Sequence, residues 1–196
     1  GLPVDKPIGS MVVDIGGGTT EVGIVSLKGL TFSTSIRVGG DKMDEAIAAY
    51  VRRKYNLQIG EATAETIKKE IGSALVTHES HLVVGHVRGQ DVARGVPCEI
   101  ALSQAEIAEA LQEPMSQIAQ IVSASLEQTK PEIAADIIDR GITMTGGGSL
   151  LRNIDLLLAD ETGLPVQVAE NPLICVALGA GRTLEDPEFR GTLCAA

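Results

Sequence analysis

The stretch VVDIGGGTTEVGIV, residues 12–25, sets an acidic residue and three consecutive glycines between two runs rich in β-branched side chains. β-Branched residues favour an extended, pleated backbone, and glycines between such runs mark a turn. The chain must therefore double back here, and the strands on either side need a sheet. MVVDIG, TEVGIVSL and TFSTSIRV predict three strands in succession, a β-meander with Lys28-Gly29 at its second turn. The last third reads strand GITMT, then GGGS, helix LLRNIDLLLADET, strand PVQVA and helix PLICVALGAGRTLE, the βαβα order of an α/β domain.

Between these blocks the period changes. GGDKMDEAIAAYVRRKYN places Met43, Ile47, Val51 and Tyr55 at four-residue steps, which predicts a helix with Asp41 as its N-cap. GEATAETIKKEIG predicts a second helix ending at Gly72. HLVVGHVRGQDVARGVPCEIAL alternates and turns like a hairpin with a charged tip around residues 88–94. SQAEIAEALQEPMSQIAQIVSASLEQ is helical, opened by a capping box of Ser103 and Glu106. Pro114 should break or kink it, which puts a domain seam near residues 113–115. The final DPEFRGTLCAA reads as a surface tail.

A chain of 196 residues buries about 70% of the surface its unfolded form exposes. With 44% hydrophobic residues, 2% aromatics and no Trp, that core must come from Ile, Val, Leu, Ala and a few Met. The net charge of −10 leaves no basic stripe to displace counterions from nucleic acid. A phosphate ligand would have to be met by backbone amides, a helix terminus or a metal. Cys98, Cys175 and Cys194 lack CxxC spacing and read as reduced thiols of a cytoplasmic protein, with Cys175 as a small core residue. No apolar run reaches the roughly 18–20 residues of a membrane span. The chain opens on Gly1-Leu2-Pro3 without Met, the mark of a piece of a longer protein or of a processed product.

Two glycine-rich turns carry the chemistry, DIGGGTT at residues 14–20 and TGGGS at residues 145–149; neither is a P-loop or a GxGxxG fingerprint. The first either serves hairpin geometry alone or forms a nest, in which amides freed of Cβ atoms converge on an anion. In the nest reading Asp14, at a strand end, suits a hydrated Mg²⁺, and the Thr19 hydroxyl orients a water or a γ-phosphate. The second turn is either a plain strand-to-helix loop or a platform for a ribose or purine. Both follow a strand, where α/β sheets hold ligands, and the pairing favours the ligand readings.

Other residues have simpler explanations. His78, His81 and His86 invite a metal reading, but on a continuous strand positions 81 and 86 face opposite ways, so they mark a solvated hairpin. Asp41, Asp44 and Glu45 open a helix, and Arg52, Arg53 and Lys54 close it, as the helix dipole favours.

VVDIGGGTTEV, RVGGDKMDEAI, IGEATAETIKKEIGSA, ALQEP, TGGGSLLRNID and ENPLICVALGAG together resemble the second half of the MreB family of bacterial actins, within the actin, Hsp70 and sugar-kinase superfamily. The resemblance runs from Gly1 to about Glu185. It implies an α/β fold, an actin-like ATPase domain with a ribonuclease H-like βββαβα core. Subdomain IIA would hold residues 1–40 and 115–196, and a smaller α/β subdomain IIB, residues 41–114, would be inserted in it.

The cofactors implied are ATP and Mg²⁺. Asp14 would act near the metal through water, and Gly16, Gly17, Gly18, Thr19 and Thr20 would surround the β- and γ-phosphates. Gly17 and Gly18 would donate amides, and Thr19 would position the attacking water. Glu65, Lys68 and Lys69 would lie near the ribose, and Gly146, Gly147, Gly148 and Ser149 would line purine and ribose. The family's first phosphate loop and its water-polarising glutamate lie upstream of the matched stretch. The resemblance therefore implies an ATPase in the intact protein and weak or absent binding by this half.

Implied partners are further copies forming filaments, a RodZ-like membrane-anchored protein on IIA and the cell-wall elongation machinery that maintains rod shape. No nucleic acid and no direct membrane contact are implied for this half, which would be cytoplasmic and membrane-associated only in the intact protein. The alternative is an Hsp70-like chaperone ATPase or a sugar-kinase-like enzyme. The first needs a peptide-binding domain and the second a substrate base in the cleft.

Overall fold

The computed structural model describes residues 2, 6–27 and 29–185. The meander forms as expected: β1 (Ser10–Ile15), β2 (Thr20–Ser26) and β3 (Gly29–Ile36) pair antiparallel in chain order. β1 then pairs in parallel with β7 (Ile142–Thr145), and β7 with β8 (Val166–Val168), giving a mixed sheet of order β3-β2-β1-β7-β8. Met11, Val13 and Ile15 alternate into the core at 1% exposure or less, as do Val22 and Ile24 on β2.

A second, antiparallel sheet has the order β4-β5-β6, made of β4 (Leu57–Gln58), β5 (Val84–Asp91) and β6 (Pro97–Ser103). Against it pack α1 (Gly40–Tyr55) and α2 (Glu61–Ile71). α3 (Gln104–Glu127) touches both units, meeting β2 and β3 of the first sheet and β6, α1 and α2 of the second. α4 (Pro131–Arg140) covers β1, and α5 (Ile154–Thr162) and α6 (Cys175–Glu185) complete the described chain. Among the described residues no helix is long and apolar enough to cross a membrane.

Several expectations are corrected. α3 runs unbroken through Pro114, so residues 113–115 lie inside one helix. An interior proline costs about 3 kcal/mol. The stripe Ile107, Leu111, Met115, Ile118 and Val122 is at most 1% exposed, and each such side chain returns about 1.5–3 kcal/mol on burial. The capping box does open this helix: the Ser103 amide donates to the Glu106 carboxylate at 2.8 Å, and the Glu106 amide to Ser103 Oγ at 3.4 Å.

The N-cap of α1 is Gly39, and Asp41 sits in its first turn. A Cβ on residue 39 would stand 2.6 Å from the carbonyl oxygens of both Gly16 and Gly17, so close packing of backbone on backbone decides the cap. Asp44 lies past the first turn of α1 and is a buried partner of Lys68 rather than a helix-opening charge. Arg88 belongs to β5, opposite Glu99, and the hairpin turns later, around Gly95 at φ +70°. Of the three histidines only His86 is on a strand, while His78 and His81 precede β5 in turns.

α4 has no counterpart among the elements expected from sequence. Its signal is Pro131 at the first helical position, where the missing N–H costs nothing. Cys175 is no core residue: it opens α6, is half-buried, and its thiol donates to the Asn171 carbonyl. The expected tail at residues 186–196, with Cys194, and Lys28 of the second turn lie outside the described residues.

Candidate functional site

Parallel pairing sends β1 and β7 to the same edge of the sheet, with Asp14 in register with Thr145. The two glycine turns therefore leave side by side. In the first, the Gly16 amide donates to the Thr19 carbonyl at 2.8 Å and closes the turn. The first amides of α1 reach it from below: Gly40 N–H donates to Gly16 O at 2.9 Å and Asp41 N–H to Gly17 O at 2.8 Å.

A direction follows from these bonds. In a trans peptide the C=O and the next N–H point opposite ways. Because the Gly16 and Gly17 carbonyls face α1, the amides of Gly17 and Gly18 face outward. Both residues are exposed, and among the described residues neither amide has an acceptor. Two adjacent outward amides with no Cβ over them are open to an acceptor, the arrangement that anion-binding nests use.

The second turn fits against the first without slack. Gly146 has φ +81°, and a Cβ there would lie 2.4 Å from Asp14 Oδ1 and from Ile15 O; one on Gly148 would lie 2.3 Å from Ile15 Cγ2. Thr145 Oγ1 and the Gly146 amide both donate to Pro172 O, at 2.9 and 3.0 Å, which moors the turn to the chain before α6. Ser149 is buried and donates to Gly146 O at 2.7 Å, so its hydroxyl supports the turn from behind. Gly147 is exposed beside Leu173.

The flanks are acidic. Burial, and then Glu21 directly across the β1–β2 ladder, raise the Asp14 carboxyl above its ordinary value. Cβ atoms built on Gly17 and Gly18 would lie 3.5 and 3.8 Å from the Asp41 carboxylate, so that carboxylate stands beside the nest. Thr19 is exposed, whereas Thr20 is fully buried with its hydroxyl donated to Val38 O at 2.7 Å.

The raised Asp14 value has a stability consequence. A carboxyl whose folded pKa exceeds its unfolded one stabilises the fold only when protonated, and that contribution is lost as pH rises through the folded value. Asp14→Asn is therefore expected to raise the melting temperature at pH 7. The gain should vanish below pH 3.8, the ordinary carboxyl value, where Asp14 is protonated as well. Thermal unfolding at both pH values checks it.

α2 completes the site from the side. Lys68 Nζ lies 2.8 Å from Asp44 Oδ2 and 2.9 Å from Gly40 O, while Glu65 and Lys69 form an exposed pair at 2.6 Å. The chain after α2 bridges to the one after the second turn: Ala74 N–H donates to Arg152 O at 2.8 Å and Asn153 Nδ2 to Ser73 Oγ at 2.9 Å. The three expected motifs thus meet. Sequence reasoning missed Gly39 and Gly40, which seat α1 against the turn, and Pro172 with Leu173. The available signal was the Gly39-Gly40 pair before a helix. A groove of about 780 Å³ lies elsewhere, between α3, α5 and residues 74–76, and is lined by none of the glycines of the two turns.

The family described as MreB/Mbl protein matches residues 1–190. The cell shape-determining protein MreB of Escherichia coli (strain K12) is 56% identical over 191 residues, which are 97% of this chain and 54% of that protein. The chain thus spans about half the length of the curated relatives it matches. Among solved structures, MreB5 of Spiroplasma citri bound to ADP superposes with a TM-score of 0.89 at 38% identity, over 95% of this chain and 58% of that one. The MamK double helical filament shares the fold, with a TM-score of 0.73 at 22% identity over 90% of this chain and 54% of its own.

Proposed function

The chain belongs to the MreB/Mbl family, and from that premise we propose that it is the second half, subdomains IIA and IIB, of an ATP-dependent, filament-forming bacterial actin that maintains cell shape. One observation carries the nucleotide site: the outward amides of Gly17 and Gly18 stand beside the Cβ-free platform of Gly146, Gly147 and Gly148. The S. citri relative in this fold is bound to ADP.

The acidic surround favours a phosphate accompanied by a cation over a bare anion. Asp14, Glu21 and Asp41 would repel phosphate alone, and Asp14 is raised by burial first and by Glu21 second, with no cation among the described residues lowering it. Mg²⁺ would neutralise charge between phosphate oxygens and carboxylates. In this reading Asp14 holds a metal-bound water, Gly17 and Gly18 hold phosphate oxygens, and Thr19, with its exposed side chain, orients a water. Gly146–148 back the purine and ribose, and Glu65 and Lys69 edge the ribose side.

The first sheet with α3 from residue 115 on and α4–α6 would be IIA (residues 1–40 and 115–196), and the second sheet with α1, α2 and the start of α3 IIB (41–114). α6 exposes Val176, Leu178 and Leu184, and Leu173 and Ile174 just before it are exposed as well, which supports a remainder of the protein packing there. That remainder would bring the other phosphate loop, the water-polarising glutamate and the membrane attachment to a cytoplasmic protein. Partners would be further copies, a RodZ-like membrane-anchored protein on IIA and the cell-wall elongation machinery.

The test is electron microscopy of the intact protein with MgATP. Filaments are expected, together with weak or no ATP binding by residues 1–196 alone in calorimetry. No filament under any nucleotide or salt condition, with ATP-dependent peptide release instead, would make the protein a chaperone.

A further inference from the structure

The buried contact between α2 and the start of α1 continues into the phosphate-facing turn. Lys68 Nζ donates to Gly40 O at 2.9 Å. The same peptide unit presents the Asp41 amide, which donates to Gly17 O at 2.8 Å. The peptide unit of that carbonyl presents the Gly18 amide, which faces outward. An ammonium, two peptide units in line and an open amide thus form one chain of head-to-tail dipoles. Such chains polarise one another, and a cation at the tail makes the terminal N–H a stronger donor. Asp44 keeps the cation in place, at 2.8 Å from Lys68 Nζ, with side-chain exposures of only 12% for Asp44 and 14% for Lys68. Its other oxygen, Oδ1, is buried without a partner, so the Asp44 side chain is spent on this one grip.

We propose that Lys68, held by Asp44, is a positioning residue: it presets and polarises the Gly18 amide of the Gly17–Gly18 pair through Gly40 and Asp41, and so acts on the phosphates without touching them. The inference rests on the nucleotide site proposed above. It differs from the ribose contact implied by resemblance in which part of the ligand should feel the loss of Lys68.

The experiment uses the intact protein, with MgATP and adenosine as separate probes in calorimetry and ¹⁵N-glycine spectra recorded without ligand. Lys68→Met is expected to weaken MgATP binding on the order of tenfold, the equivalent of one lost charge-assisted hydrogen bond, and to leave adenosine binding unchanged. The ligand-free Gly18 amide resonance should move upfield, since its N–H loses polarisation. Lys68→Arg, which keeps the charge, should recover most of the MgATP affinity. Should Lys68→Met fail to fold, Asp44→Asn leaves the cation but loosens it, and the same split between MgATP and adenosine is expected at several-fold. Equal weakening of both probes would assign Lys68 to the ribose and overturn the proposal, as would an unmoved Gly18 resonance. If the wild-type protein binds neither probe while its Gly18 resonance still responds to Lys68→Met, the relay stands and the nucleotide reading falls.

Discussion

Gly146→Ala is expected to abolish nucleotide binding and to cost the fold about 3 kcal/mol or more. Two costs add. The backbone at residue 146 has φ +81° and ψ 167°, a region essentially reserved for glycine, where a side chain costs about 1–3 kcal/mol. The added Cβ would also stand 2.4 Å from Asp14 Oδ1 and Ile15 O, and a backbone carbonyl on a core strand cannot swing aside as a flexible side chain can. The turn would have to lift off β1, taking the platform away from the nest and disturbing the carboxylate proposed to face the metal. Gly147→Ala is the matched control. Its Cβ would meet only the end of the exposed Leu173 side chain, at 3.3 Å, so a stability change below about 1 kcal/mol is expected. Urea unfolding and MgATP titration of both variants give the comparison.

The second large effect lies at the far end of α1. Burial alone would raise the Glu106 carboxyl, but the Ser103 amide, the Tyr55 hydroxyl, the Lys54 ammonium and the Ser103 hydroxyl all donate to it and hold it down at about 2, against an ordinary 4.5. Lys54 also donates to the Tyr50 hydroxyl at 2.8 Å, and Tyr50 to Glu109 at 2.7 Å, so the network fastens the C-terminus of α1 to the start of α3. A depressed carboxyl contributes stability that is fully present above its unfolded pKa of 4.5 and is lost as pH falls from there toward 2. At about 1.4 kcal/mol per unit, the upper bound on the contribution is about 3.5 kcal/mol, reduced by the solvent that reaches the carboxylate. Glu106→Gln should cost most of that at pH 7 and should flatten the acid branch of the stability curve between pH 4.5 and 2. Unfolding free energies across pH for both proteins check it. A variant that lost stability but kept the acid branch would place the depressed group elsewhere. Since the other end of α1 seats the turn at Gly16 and Gly17, the variant should also weaken the proposed MgATP binding, by less than Gly146→Ala does.

What was legible in the sequence, and what was not, follows from the range of the interactions. The meander, the capping box and the βαβα tail depend on neighbours within a few residues, so β-branched runs, Ser103 with Glu106 and the glycine turns announce them. Pro114 misleads because its local cost is outweighed by apolar contacts that the helix makes with other elements. Gly39 replaces Asp41 as N-cap because the turn at Gly16 and Gly17 leaves no room for a Cβ, a contact between segments that are distant in sequence. Asp44 reads as a helix-opening acid and Lys68 as a ribose neighbour, and only their meeting between α1 and α2 turns them into a buried pair. In the site, the presence of two glycine turns was readable. That β1 and β7 are neighbours, which puts the turns in contact, is a property of strand order that no local pattern encodes.

In the proposed function the two turns form one nucleotide cradle. It is tested most directly by titrating MgADP into the ¹⁵N-glycine-labelled intact protein and following the assigned glycine amides. Gly17, Gly18 and Gly147 should shift together and saturate with one affinity, while Gly95 in the β5–β6 turn and Gly163 after α5 stay fixed. Saturable binding that leaves Gly17 and Gly18 unmoved, or that moves only one of the two turns, would contradict it.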